Sequence, residues 1–266
     1  LWAGLTNWRL HLVIALATFI FFPLLGLGLK PFLIWLAGPE LYLGLLFLCL
    51  LPSTVQSSIA FTSIAGGNVA GAVCAASASS LLGVLVTPLW VGLTLKFRAG
   101  GSAKQAIIDL GLQLVLPFAL GQLARLKLAQ WVERHKQIIG YTDRLSVLFI
   151  VYVSFSHGTT TGLWGTLSWP IFLSLVLACA IILGLALLGT SQAARRLGFD
   201  RADRVTILFC GSKKSLVAGV PMANIIFAPA MASVIILPLM IFHQLQLLTC
   251  AYLARLLAAK KSPGSA

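Results

Sequence analysis

The stretch Val205-Thr206-Ile207-Leu208-Phe209-Cys210-Gly211-Ser212-Lys213-Lys214-Ser215-Leu216-Val217-Ala218-Gly219-Val220-Pro221-Met222-Ala223-Asn224-Ile225-Ile226-Phe227 decides the fold. Its two apolar arms are together long enough to cross a bilayer, which takes about 20 residues. Its middle is Gly-Ser-Lys-Lys-Ser. An ammonium at mid-bilayer costs roughly 3 kcal/mol on insertion scales, so lysines there face protein or water and mark a substrate or ion path. A doublet inside a glycine-serine break predicts a discontinuous helix with its functional centre at Gly211 to Ser215.

Composition places that stretch in a membrane. Of 266 residues, 59% are hydrophobic and 9% charged, against about 25% charged in an ordinary soluble domain, and the mean hydropathy is +0.99. The formal charge of +13 comes from basic residues spread between apolar spans, the bias of cytoplasmic loops, and no nucleic-acid partner is expected. All five cysteines (Cys49, Cys74, Cys179, Cys210, Cys250) fall in apolar segments without metal spacing, so they read as buried small hydrophobes and no metal is expected. The first residue is Leu1 and nothing ahead of the first span resembles a signal peptide, so the chain is expected to begin inside a longer protein.

Eight spans are predicted: Leu10 to Leu29, Leu41 to Ile64, Val69 to Leu95, Gln105 to Arg125, Arg144 to Thr160, Trp169 to Leu188, Val205 to Phe227 and Ala230 to Ala254. The largest polar connections are Leu126 to Asp143 and Gly189 to Arg204. Counting basic residues at alternate ends puts Arg9, Arg125, Lys127, Arg134, Lys136, Arg144, Arg195, Arg196, Arg201, Arg204, Arg255, Lys260 and Lys261 on one side, and only Lys30, Lys96, Arg98 and Lys104 on the other. The richer side is cytoplasmic by the positive-inside rule, which predicts both termini of this chain there and a multi-pass protein of the inner (plasma) membrane.

Two spans are broken. In the second, Leu50-Leu51 runs into Pro52-Ser53-Thr54-Val55-Gln56-Ser57-Ser58, where proline removes a helix hydrogen bond and the side chains turn polar. The seventh breaks at Gly211 to Ser215. Each break is followed by a small-residue helix and then a proline-bearing span, with Thr87-Pro88-Leu89 in one and Leu237-Pro238-Leu239 in the other. Spans one to three and six to eight therefore read as one unit used twice, the inverted-repeat plan of secondary transporters. Each half must cross the membrane an odd number of times, so the natural whole is five plus five, of which eight spans lie here. The predicted fold is all-α and polytopic, with residues 1–98 as the first core repeat, 99–166 as panel helices, 167–257 as the second core repeat and 258–266 as a cytoplasmic tail.

Other polar residues have plainer readings. His243, Gln244 and Gln246 suit interhelical hydrogen bonding. Asn68 and Asn224 follow the breaks as caps or braces, and Ser77, Ser79 and Ser80 suit close helix packing. Asp109 is expected near a helix end, and Glu40, Glu133, Asp143, Asp200 and Asp203 at solvated membrane edges. Trp2, Trp8, Trp35, Trp90, Trp131, Trp164 and Trp169 sit near span ends as an aromatic belt.

Several long motifs in order make the chain resemble the bile acid:sodium symporter superfamily, and within it a bacterial branch related to the seventh member of the vertebrate bile-acid carrier family. They are Pro52 to Thr62 followed by Gly66-Gly67-Asn68-Val69-Ala70, Ala75-Ala76-Ser77-Ala78-Ser79-Ser80, Cys210 to Ser215 followed by Val220-Pro221-Met222-Ala223-Asn224, and Pro238-Leu239-Met240-Ile241-Phe242-His243-Gln244. The resemblance implies a core of two crossing three-helix units, a panel domain, and uptake of organic anions with sodium by movement of core against panel. Carried over residue by residue, a Ser-Asn sodium-site pair matches Ser57 and Ser58, and oxygen ligands on the next helix match Ala72 and Ala76. A glutamine ahead of a proline matches Thr18 ahead of Pro23, the central glutamate matches Phe209, and the glutamine and asparagine after it match Lys213 and Lys214. An aromatic ring and two ammoniums do not replace the oxygen ligands that a hard cation needs, so no cofactor is expected, sodium transfers badly, and proton coupling takes its place as an option.

Three readings of the lysines stay open: tethered cations in the emptied sodium space, held by carbonyls and by Gln56, Ser57 and Ser58; anion binders facing the core-panel cleft; or helix-end side chains snorkelling to an interface. The substrate and crossover set is Pro52, Ser53, Thr54, Gln56, Ser57, Ser58, Asn68, Gly211, Ser212, Lys213, Lys214 and Ser215. The expected function is secondary active transport of a small organic anion, bile-acid-like or another carboxylate or sulfate, by alternating access. The lipid bilayer and that anion are the expected partners. The alternatives are a channel-like or partner-dependent membrane subunit and an intramembrane hydrolase using Ser212 or Ser215 with a lysine.

Overall fold

Proline, glycine and asparagine decide where the helices start and stop. The computed structural model describes residues 7–95, 116–135 and 168–259 continuously, and scattered residues between them. Helix α1 (Trp8–Leu16) is capped by the Asn7 side chain and runs through a π-helical turn (Ala17–Phe21) into α2 (Phe22–Gly28). Short α3 (Lys30–Ala37) leads through Gly38, whose φ of 85° is one a side chain resists, into α4 (Pro39–Leu50). Then come α5 (Gln56–Ile64), α6 (Val69–Thr94), α7 (Leu116–Arg134), α8 (Trp169–Arg196), α9 (Arg201–Gly211), α10 (Leu216–Ile226) and α11 (Pro229–Ala259).

The π turn has a local cause. Pro23 has no N–H, so the Phe19 carbonyl four residues earlier lacks its helical donor. The Phe22 N–H bonds back five residues to the Ala17 carbonyl, which also frees the Thr18 carbonyl. Two side chains distant in sequence take up these acceptors: the Trp90 indole donates to Phe19 O at 2.9 Å, and Lys214 Nζ to Thr18 O at 2.8 Å.

Four helices, Trp8–Gly28, Val69–Thr94, Trp169–Arg196 and Met231–Ala259, are long and apolar enough to cross a membrane. Broken pairs α4/α5 and α9/α10 lie among them. Leu24, Leu85, Leu93, Leu188 and Leu248 stand exposed on these helices, as a hydrocarbon solvent permits. Inside, Phe22 meets Phe242 edge-on at 6.4 Å, and α4 lies so close to α11 that a Cβ on Gly44 would fall 2.8 Å from the Ile235 carbonyl.

Several boundaries differ from the sequence expectation. The Gly189 to Arg204 connection is helical to Arg196, because nothing in Thr190 to Arg196 breaks a helix before Gly198 (φ 72°). Likewise α7 carries the fourth span through the first half of the Leu126 to Asp143 connection, to Arg134. The first break is Leu51 to Val55, so Gln56, Ser57 and Ser58 form the first turn of α5 rather than the break itself. About half of the expected spans Gln105 to Arg125 and Arg144 to Thr160, with Asp109, Asp143, Trp2 and Trp164, lies outside the described residues. Trp8, Trp35, Trp131 and Trp169 are exposed as a belt requires, whereas Trp90 is occupied at the π turn.

Asp203 is the clearest correction. It is not solvated but 8% exposed, in the first turn of α9, where its two carboxylate oxygens accept from Asn7 Nδ2 at 2.6 Å and Asn68 Nδ2 at 2.9 Å. Those asparagines are the N-caps of α1 and α6. The start of α9 is thereby tied to the starts of α1 and α6.

Candidate functional site at the helix crossover

The two broken helices meet at their breaks: the Ser215 N–H donates to the Pro52 carbonyl at 2.9 Å. Unwinding a helix in a membrane leaves carbonyls that need donors, and here side chains supply them. Thr87 Oγ1 donates to Leu50 O at 2.9 Å and Lys214 Nζ to Leu51 O at 2.6 Å. Across the crossing, Ser53 Oγ donates to Cys210 O at 2.6 Å and Ser58 Oγ to Phe209 O at 3.1 Å. The Ser53 N–H in turn finds Ser79 Oγ at 3.0 Å. Helix α6 can run this close because Gly83 faces Pro52: an added Cβ would sit 2.5 Å from the proline ring.

Gln246 of α11 completes the crossing. Its Oε1 accepts from the Lys214 N–H at 2.9 Å and its Nε2 donates to the Lys214 carbonyl at 2.8 Å, so one side-chain amide satisfies both main-chain polar groups of Lys214 where the helix is broken. Because only oxygen can accept the first bond and only nitrogen can make the second, the amide orientation is fixed. The second Nε2 hydrogen points to His243 Nδ1 at 2.9 Å.

Both lysines are fully buried, each 0% exposed, so the reading in which they snorkel to an interface is overturned. Lys214 Nζ is held by the carbonyls of Thr18 and Leu51 and stands 4.2 Å from the Phe22 ring centre. Lys213 Nζ donates to Ser57 Oγ at 3.1 Å and stands 4.5 Å from the Phe61 ring. Thr54 Oγ1 pairs with Ser57 Oγ at 2.9 Å and with Ser58 Oγ at 3.1 Å, which makes a continuous hydroxyl chain from Lys213 to the Phe209 carbonyl.

The structure brings together Pro52, Ser53, Thr54, Ser57, Ser58, Phe209, Gly211, Ser212, Lys213, Lys214, Ser215 and, through its carbonyl, Thr18. The Thr18 hydroxyl, matched to a ligand amide by the resemblance, is buried without a hydrogen-bond partner among the described residues. Gln56 is exposed on the first turn of α5 and makes none of the lysine contacts expected of it. Asn68 lies apart, with Asp203 and with Thr206, whose hydroxyl accepts from the Asn68 N–H at 3.0 Å. Ser212 Oγ is turned onto Leu208 O at 2.5 Å, and Ser215 Oγ caps α10 by accepting from the Ala218 N–H. Neither forms a serine-lysine pair. Sequence reasoning passed over Phe22, Phe61 and the Leu51 carbonyl, which no local pattern marks, and underrated Gln246, whose signal was an amide in an apolar span.

Comparison with known proteins gives this geometry its context. The model of the SBF-like CPA transporter family matches residues 1–259. The chain is 53% identical over 265 residues to the uncharacterized protein PA2026 of Pseudomonas aeruginosa, across 99% of this chain and 80% of that one. It is 48% identical over 253 residues to YfeH of Escherichia coli, whose name proposes a symporter, across 95% and 76%. It is 32% identical over 249 residues to sodium/bile acid cotransporter 7 of Rattus norvegicus, across 92% and 73%. The functional names among these relatives are those of transporters, not enzymes. With its all-helical, multi-pass architecture, the chain belongs to the SBF-like CPA transporter family, the group of the bile acid:sodium symporters.

Proposed function

We propose that the chain carries a small organic anion across the inner membrane by alternating access, with Lys213 and Lys214 standing where its relatives hold sodium. The observation that carries this reading is the placement of two fully buried ammoniums at the crossing of two broken helices, bonded to freed carbonyls and a hydroxyl. Half-helices α5 and α10 also aim their N-termini, the positive ends of their dipoles, at the same region. The summed field there favours an anion.

Sodium fits this donor set poorly. A hard cation needs several oxygens, usually with a carboxylate, but the Leu51 and Thr18 carbonyls already face an ammonium, and Phe209 contributes an apolar ring where the family pattern has a glutamate. In this reading residues 1–98 and 167–257 move together as a core against panel helices in 99–166, with both termini of the chain in the cytoplasm. In this reading the substrate anion binds at the first turn of α5, where Ser57 is partly exposed and Gln56 exposed.

The test is uptake by the full-length protein in proteoliposomes, using taurocholate and a set of small carboxylates and sulfates, in sodium medium and in potassium or choline medium. Anion uptake at equal rates in all three media is expected. Uptake that needs sodium, and is abolished by S57A or S58A, would overturn the substitution of lysine for sodium.

A further inference from the structure

The two buried lysines have partners of different chemistry, and we infer that Lys213 is the site where the carrier binds and releases a coupling proton, while Lys214 serves as a fixed hydrogen-bond donor. This rests on the transport reading above and names its coupling ion.

Carbonyl oxygens only accept, whereas a hydroxyl both donates and accepts. Around Lys214 Nζ stand the carbonyls of Thr18 at 2.8 Å and Leu51 at 2.6 Å and the face of Phe22. All three are electron-rich. An unprotonated amine there still donates to both carbonyls, but its lone pair faces the negative π surface of the ring. That pocket suits one state.

Lys213 is placed otherwise. Its oxygen partner is Ser57 Oγ, and Ser57 opens the chain to Thr54, Ser58 and the Phe209 carbonyl. With an ammonium at Lys213, donation runs from Nζ to Ser57, Ser57 to Thr54, Thr54 to Ser58 and Ser58 to Phe209 O. With a neutral amine, Ser57 rotates and donates to Nζ, Thr54 and Ser58 keep their directions, and the Phe61 ring receives an amine N–H. Every hydroxyl donates once in both states, and only Ser57 moves. The hydroxyl chain therefore adapts to either protonation state of Lys213 by the rotation of one side chain.

The hydroxyl chain also reaches the surface of the described residues. Ser57 is partly exposed on the first turn of α5, next to exposed Gln56. The proton leaves the ammonium for water at that face, which leaves the neutral amine, and returns to its lone pair from water on the other side of the membrane. The titratable groups facing Lys213 are Cys210 of its own broken helix and Cys250 and His243 of α11, besides the adjoining Lys214. From α5 come only Ser57 and Phe61. None of these is a carboxylate that would lock the ammonium in a salt bridge.

Two measurements on the full-length protein in proteoliposomes test this. Acetic anhydride reacts with neutral amines only, so peptide mass spectrometry of briefly treated samples reads which lysine loses its proton. Acetylation of Lys213 is expected to rise about tenfold per pH unit until it levels off, with Lys214 far behind. Equal labelling of both, or no labelling of Lys213 at any pH, overturns the inference. In sodium-free medium, an acid-outside gradient is expected to accelerate taurocholate uptake by the unmodified protein over zero-gradient counterflow, and K213Q is expected to bring that ratio to one. Counterflow indifferent to the gradient also overturns it. Absence of counterflow for every anion tried counts against the organic-anion reading instead, and the labelling then decides alone.

Discussion

Lys214 Nζ bridges the carbonyls of Thr18 and Leu51, one freed by a π turn and the other by a helix end. Two separate interruptions of regular structure are satisfied by one side chain that lies far along the sequence from both. Lys214→Met keeps the stem and removes the donor, which leaves two buried carbonyls unmatched at about 1–3 kcal/mol each. A marked fall in the melting temperature of the detergent-solubilised protein is expected, and an unchanged one would show that the bridge contributes nothing to stability.

Gln246 satisfies both the N–H and the carbonyl of Lys214. Gln246→Leu is nearly the same size but orphans a backbone N–H and a carbonyl in an apolar setting, at roughly 2–6 kcal/mol for the pair. His243→Ala removes the outer contact to Nε2 and leaves the Gln246 clamp on Lys214 in place. Denaturation in mixed micelles should therefore rank Gln246→Leu well below His243→Ala, and the reverse order would refute the clamp.

Asp203 gives a graded test. Asp203→Ala loses both amide contacts, from Asn7 and Asn68, whereas Asp203→Asn keeps one oxygen that can accept. Hydrogen bonds to a charged acceptor contribute about 1.5–3 kcal/mol each, so alanine should cost about twice what asparagine does. Limited proteolysis at the helix starts near residues 7, 68 and 203 would report it, and protection equal to that of the unmodified protein would contradict the linkage.

Gly83 meets Pro52 at the crossing. Gly83→Val forces side-chain volume into that contact, at about 1–3 kcal/mol or more. Lower yield of folded protein and loss of uptake together are the expected outcome. Gly184 has open space where a Cβ would go, so Gly184→Ala serves as the mild control.

Prolines, glycines and hydropathy made the architecture readable in the sequence. Pro52 and Gly211-Ser212 announce the two breaks, because a missing N–H and a small flexible run are local properties. Burial of the lysines followed from their mid-span position. What stayed hidden depends on contacts across long sequence separations. Nothing near Asp203 tells that Asn7 and Asn68 fold against it, and nothing near Leu51 or Thr18 tells that their carbonyls meet Lys214. Gln56 reads like a crossover ligand by sequence, but the helix restarts at that residue, and the first turn of α5 carries its side chain outward.

The paired carbonyls at the π turn and the end of α4 hold a cation that is covalently part of the chain. Its occupancy has no bulk concentration and no gradient, so no change in the medium can fill or empty the position by mass action. In a carrier, an ion that cannot dissociate does no osmotic work. The Lys214 position acts as a constant in the transport equilibrium, and any driving force must enter elsewhere in the fold.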